Sequence, residues 1–208
     1  MLNRRARGGF GKLFVGLALF AVGVTMTVQA ELGLAPWDVL HSAVSRSTGL
    51  GFGTASVLVS AAVLLLAVAL GTRPGIGSVL NTVLIGSGIE VLLRVGFLAG
   101  ADSWWWPLRL TLLVAGLAVI AIGSALYIGA HLGSGPRDSL MVAVHRRTGL
   151  RIWQARTATE GSAFLLGALL GGAVGIGTVV SVLLIGPLVQ LAFALLRQTP
   201  TRPEPTAG

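Results

Sequence analysis

The sequence predicts an all-α membrane protein of about six transmembrane helices, built as two three-helix inverted repeats that each carry a short half-helix. Three observations predict it. Of 208 residues, 54% are hydrophobic and only 11% charged, whereas a soluble domain carries about a quarter charged residues. Apolar segments of about 20 residues, each able to cross a hydrocarbon core of about 30 Å, recur along the chain. The sequence also matches itself at an offset of one hundred positions, with roughly thirty identities over about eighty-five aligned residues. An ordinary soluble globular protein is excluded. The absence of cysteine excludes disulfides, thiolate catalysis, iron–sulfur clusters and cysteine-ligated zinc. The net charge of +8 belongs to membrane orientation, so no nucleic-acid partner is expected.

The elements follow in order. Residues 1–11 form a basic cytoplasmic N-terminus, 12–98 a first membrane repeat, 108–197 a second, and 198–208 a disordered cytoplasmic tail with too few apolar groups to order itself. The first span, 12–30, ends in Val28-Gln29-Ala30, a small-residue pattern like a signal-peptide cleavage site. Its match to the internal stretch 113–130 marks it instead as a retained helix. Spans follow at 53–72 and 76–98, then, after Trp104-Trp105-Trp106 at the level of an aromatic belt, at 108–130, 155–172 and 176–197. With the N-terminus inside, only Arg46, Arg94 and Arg109 of the 15 Lys and Arg fall outside. Both termini are therefore expected to be cytoplasmic. Three spans per copy is an odd number, so the second copy enters the membrane from the opposite side to the first.

Between the first two spans of each copy lies a Gly-x-x-Pro-x-Asp segment, carrying Gly33, Pro36 and Asp38 in one copy and Gly133, Ser134, Gly135, Pro136 and Asp138 in the other. Each reads as a short helix, with proline at the first position, aspartate at the positive end of the dipole, and Gly49 or Gly149 as the stop. A dozen residues of this polarity are too short and too polar to span. The helix lies on the membrane surface, re-enters the bundle or, in a rival topology of eight spans with parallel repeats, spans fully; length and polarity disfavour the last, and glycine-rich starts such as Gly133-Ser134-Gly135 favour re-entry. Two inverted half-helices would bring their N-termini together near the midplane, favouring an anionic group that the two aspartates oppose or select.

The paired stretches Gly33-Leu34-Ala35-Pro36-Trp37-Asp38-Val39-Leu40 and Gly133-Ser134-Gly135-Pro136-Arg137-Asp138-Ser139-Leu140, with Thr48-Gly49 and Thr148-Gly149 behind them, resemble the YczE/YyaS/YitT-like group of bacterial integral membrane proteins over residues 10–198. The resemblance implies a multi-pass protein of the bacterial plasma membrane. It supplies no catalytic or substrate residues.

Ionisable groups inside spans are costly and so point to function. Glu90 has Arg94 one turn later and reads mainly as an ion pair. Glu160, deeper than Arg156, reads as the better candidate to face a cavity and couple a proton. The duplication sets Gln190 opposite Glu90 and Ser60 opposite Glu160. Gln29, Asn81 and Tyr127 read as interhelical hydrogen-bond partners first and ligands second. Gly77, Gly86, Gly177 and Gly186 read as sites of close backbone approach, and Gly71/Gly75 with Gly171/Gly175 as tight turns. His41, His131 and His145 have no metal-ligand spacing, a histidine–aspartate pair occurs at most once, and no nucleotide or nucleophile motif is present. No metal, cofactor or enzymatic activity is expected. The sequence thus points to a secondary transporter or channel-like protein for a small solute or ion, in contact with the lipid bilayer and open to homo-oligomerisation. Its path candidates are the two half-helix starts and Glu160, with Glu90, Gln190 and Asn81 secondary. The alternative is a non-transporting regulatory or scaffold protein, in which the half-helices lie on the surface and the aspartates only cap.

Overall fold

The computed structural model describes residues 4–197, so the predicted tail 198–208 lies outside the described residues. The described chain is all-helical: α1 (Arg4–Gln29), α2 (Pro36–Thr48), α3 (Phe52–Ala69), α4 (Ile76–Arg94), a 3-10 turn (Ala101–Ser103), α5 (Trp106–Ile128), α6 (Pro136–Thr148), α7 (Ile152–Leu169) and α8 (Ile176–Leu195). Five helices, α1 from Gly9 onward with α3, α4, α5 and α8, are long and apolar enough to cross a membrane. The sixth predicted span is helical as α7 but does not join them. It is 18 residues long, like α3, yet Gln154, Arg156, Thr157, Thr159 and Glu160 fill its first half. The predicted short helices are α2 and α6, each with proline in its first turn and a left-handed glycine, Gly49 or Gly149, closing it.

The centre of the bundle is the crossing of α1 with α5. Gly16 lies against Gly123 and Tyr127, Gly23 against Gly116 and Ile120, and Gly9 against Ala130. Positions on α5 fall as positions on α1 rise, so the two helices run antiparallel. A Cβ on Gly23 would come within 2.7 Å of the Gly116 carbonyl oxygen, so the helix backbones themselves are in contact. Leu13, Leu17, Val24, Ile89, Leu117 and Ile120 fill the core around this seam.

All but one of the principal packings among the described residues have a partner at the hundred-residue offset. Helix α1 packs on α4 and α5 on α8, α2 on α7 and α6 on α3, α2 on α3 and α6 on α7. The exchange breaks down in one place. Helices α3 and α4 pack tightly, with Gly53 against Gly86 and Glu90, but α7 and α8 do not pack in the same way. Trp153 occupies the position equivalent to Gly53 and is 61% exposed, so the glycine contact that joins α3 to α4 has no counterpart between α7 and α8. For that reason Gly186, expected to mark a close approach, faces open space, whereas Gly77, Gly86 and Gly177 each meet another backbone. The expected turns are present at Gly71 and Gly171, both with positive φ.

Candidate functional site

Each half-helix is positioned by the last helix of the other repeat. The Leu32 carbonyl accepts a 2.6 Å bond from the Gly177 N–H on α8, and the Leu132 carbonyl accepts a 2.8 Å bond from the Gly77 N–H on α4. Gly33 (φ +105) and Gly133 (φ +135) turn the chain against Gly175 and Gly75, where a side chain would collide. Their left-handed backbone is one that only glycine enters freely. Ser78 Oγ then donates 2.5 Å to the Ser134 carbonyl, and Leu34 N–H donates 3.1 Å to the Ala173 carbonyl.

The polar face of α2 turns inward. Asp38, His41 and Ser42 are buried along with Trp37, Val39 and Ala43. This is not how a surface-lying helix behaves, because its polar face would be in water. Ser42 Oγ donates to the Val39 carbonyl and accepts the Ala173 N–H, both at 2.8 Å. Neither half-helix has a side-chain hydrogen bond from its N-cap, Ala35 or Gly135.

Asp38 reaches across to the other repeat rather than capping its own helix. Arg137 Nη2 on α6 donates a 3.0 Å bond to Asp38 Oδ1. His41 Nδ1 stands 3.2 Å from the same oxygen, but off the line of a formed bond, so both ring nitrogens are buried without a hydrogen-bond partner. The Arg137 guanidinium lies 5.6 Å over the Trp37 ring. Trp37 in turn packs with Ala67, Leu140 and Ala163 from α3, α6 and α7. Positions 37 and 137 are equivalent in the duplication, so their contact marks where the two repeats meet.

On the other side of the meeting point the chemistry differs. Asp138 is half-buried. The charged groups acting on it are Arg156, Arg137 and Glu160. Tyr127 on α5 and Asn81 on α4 are both buried. A Cβ at Gly135 would sit 3.4 Å from both the Asn81 amide and the Tyr127 hydroxyl. Gly33, Pro36, Asp38, Gly133, Ser134, Gly135, Pro136, Asp138 and Asn81 are therefore gathered at or beside one junction.

Of the remaining candidates, Glu160 acts on the junction through Asp138, and Glu90 and Gln190 lie apart from it. Glu160 pairs with Arg156 at 2.9 Å, with side chains 38% and 58% exposed. Glu90 accepts Arg94 at 3.0 Å and the Thr54 N–H at 3.2 Å, which ties α4 to the first turn of α3. Gln190 is exposed on α8. Gln29 donates to the Phe97 carbonyl at 3.0 Å, which ties the end of α1 to the turn after α4 rather than to another helix. Sequence reasoning missed Trp37, His41 and Arg137 as site residues. The signal for Arg137 was that it stands opposite Trp37 in the alignment of the chain with itself, and that for His41 was its i,i+3 spacing from Asp38.

A polar cavity of about 630 Å³ opens beside α2, lined by Glu31, Gly33, Ser42, Arg46, Arg109 and Gly175 among others. Arg109 donates to the Ala30 and Glu31 carbonyls at 2.9 and 2.7 Å, and Arg46 to the Gly171 carbonyl at 3.1 Å. The two arginines thus brace the wall by capping loop carbonyls. Among the described residues no three His, Asp or Glu side chains gather in a metal-binding arrangement.

The family model of DUF6198, a family of unknown function, matches residues 10–193. An uncharacterized protein of Haemophilus influenzae is 35% identical over 191 residues, covering 92% of this chain and 86% of that one. Bacillus subtilis has the uncharacterized membrane protein YczE, 32% identical over 86% of this chain and 83% of its own length. It also has the uncharacterized protein YyaS, 28% identical over 88% and 92%. No solved structure matches.

Proposed function

The chain belongs to DUF6198, a family of unknown function with YczE-like and YyaS-like relatives, and we propose that it is a multi-pass membrane protein that moves a small solute or ion past the starts of its two half-helices. One observation carries this reading. Two half-helices from opposite repeats begin at a single buried junction, bridged by the Asp38–Arg137 pair.

The antiparallel crossing of α1 with α5 supports an inverted arrangement, since equivalent spans that run in opposite directions belong to units that enter the membrane from opposite sides. The far ends of α2 and α6 then lead to opposite faces. Their starts can touch only if both dip to mid-depth, where non-helical backbone such as 30–35 and 129–135 is tolerated because protein covers it. Such a midplane junction, lined by discontinuous helices, is where secondary transporters hold their substrates. The basic residues, mostly on one side, support cytoplasmic termini in the plasma membrane. No enzymatic step and no cofactor form part of this reading.

The chain has no native cysteine, so Thr48→Cys and Thr148→Cys, both exposed at equivalent helix ends, can each be labelled with an impermeant thiol reagent. Labelling of position 48 in intact cells and of position 148 only in inverted vesicles is the expected result. Labelling of both from one side would make the repeats parallel and remove the midplane junction. Solute-exchange currents from the purified protein in liposomes then test transport directly. A regulatory or scaffold component would pass the labelling test and carry no current.

A further inference from the structure

We propose that Asp138 is the protein side of a binding site for a monovalent cation of the guanidinium or primary-ammonium class, an inference that rests on the transport reading above and names its solute. Asp38 and Asp138 occupy the same position of the same first turn in the two repeats. Asp38 receives its counter-charge from the other repeat, through Arg137 at 3.0 Å. By the same exchange, the partner of Asp138 should come from position 37. Position 37 is tryptophan, which carries no charge, and among the described residues Asp138 has neither an ion pair nor a side-chain hydrogen bond.

The neighbouring charges do not fill the gap. Asp38 and Arg137 neutralise one another, and so do Arg156 and Glu160, paired at 2.9 Å. The carboxyl group of Asp138 is left without a counter-ion of its own at a half-buried position. An unpaired charge withdrawn from water is costly, and a positive group of single charge removes that cost. The half-site already shown in the molecule indicates its chemistry: an N–H-rich cation of single charge that bonds a carboxylate in the first turn, as Arg137 does with Asp38 at 3.0 Å.

The surroundings of Asp138 suit such a guest. Asn81 and Tyr127 replace Ser181 and Thr27 of the other half, adding an amide oxygen and a phenol oxygen able to accept N–H bonds. Glycine at 135, where the other copy has Ala35, leaves a Cβ's volume free in front of them. The chain thus supplies its own guanidinium to one half-site and leaves the equivalent place in the other to a ligand.

Binding is measured by calorimetry on the full-length protein in micelles. Guanidinium, methylammonium, sodium and choline chlorides serve as the probes, at millimolar concentration and matched ionic strength. The expected result is saturable one-to-one binding of guanidinium or methylammonium at least tenfold tighter than sodium or choline. It should be lost by tenfold or more in Asp138→Asn. Trp37→Arg, which puts an arginine where the exchange calls for one, should lose it as well, and Asp138→Asn decides the matter if that variant does not fold. Equal affinity for sodium, no binding of any probe, or binding unchanged in Asp138→Asn would overturn the proposal. Because no flux is measured, cation binding without liposome currents would remove only the transport reading, and currents of another solute without cation binding would remove only this inference.

Discussion

The Asp38–Arg137 pair allows a prediction whose magnitude follows from its burial. The Asp38 side chain is 5% exposed and that of Arg137 31%. Breaking a buried pair by removing one partner costs about 3–5 kcal/mol, because the charge left behind is uncompensated. The two removals are not equivalent here. Arg137→Gln strands a carboxylate that water hardly reaches, so about 3 kcal/mol is expected. Asp38→Asn strands a guanidinium a third exposed, which solvent partly screens, so about 1 kcal/mol is expected. The double variant leaves two neutral amides and should cost about 1.5 kcal/mol in all. The pair would then couple by about 2–3 kcal/mol in a double-mutant cycle. For a chain of this size about 2–4 °C of melting temperature corresponds to 1 kcal/mol. Arg137→Gln should therefore lower the midpoint by about 6–12 °C, with the double variant well above it. Thermal unfolding followed by circular dichroism in micelles reads all four proteins. Additivity within about 0.5 kcal/mol, or Asp38→Asn being the more damaging change, would refute the pairing across the repeats and the junction built on it.

Other expectations concern the parts that hold the junction. Gly77→Ala and Gly177→Ala place a methyl group 2.9 and 2.7 Å from carbonyl oxygens of the opposite repeat, so neither protein should accumulate in membranes. Gly49→Ala, with nothing near its Cβ, should cost only the backbone strain of about 1 kcal/mol; immunoblots of membrane fractions separate the three, and equal loss would refute the packing argument. His41→Met introduces the residue that stands at 141 and removes two unbonded ring nitrogens. Its melting temperature should stay within a few degrees of the parent, and a large loss would mean that the imidazole holds a partner. Glu90→Gln keeps an acceptor for the Thr54 N–H and gives up only the pair with a 75%-exposed arginine. It should cost less than about 1 kcal/mol, while Glu90→Ala should cost about 1–2 kcal/mol through loss of the bond at the start of α3; similar melting points for the two would remove that helix-start role.

The local grammar of the chain was legible before any coordinates. Proline at 36 and 136 and glycine at 49 and 149 bound α2 and α6 at the residues they suggest, because first-turn proline and terminal glycine act through backbone geometry that no neighbour needs to supply. Tertiary consequences were harder to see. The amphipathic pattern of α2 gives two faces without saying which is buried, and the polar face turned out to be inside. Glu160 looks deep when depth is counted along a straight helix, yet α7 does not pack on α8 as α3 packs on α4, and Glu160 and its partner Arg156 are 38% and 58% exposed. Gly16 and Gly23, repeated as Gly116 and Gly123, gave a visible signal for the α1–α5 seam. The antiparallel register that sets Gly16 against Gly123 depends on two distant spans meeting.

The duplication itself separates structural from chemical positions. Two repeats that pack on one another through the same positions must keep the residues through which each grips the other, and Gly33, Gly75 and Gly77 recur as Gly133, Gly175 and Gly177 at those contacts. Positions at the meeting point are under no such constraint, since each is filled once by each copy. There the copies part: Trp37 against Arg137, His41 against Met141, Thr27 against Tyr127, Ser181 against Asn81. If these differences were drift, they would fall on the exposed faces of α3 and α8, where side-chain identity matters least. Such differences do fill α3 and α7, which share few residues, but those at the meeting point surround two aspartates that both copies retain. One aspartate has gained an internal cation and the other has not. A protein that only needed a rigid junction would be more stable with both charges paired, so the unpaired one is the feature that a purely structural role does not explain.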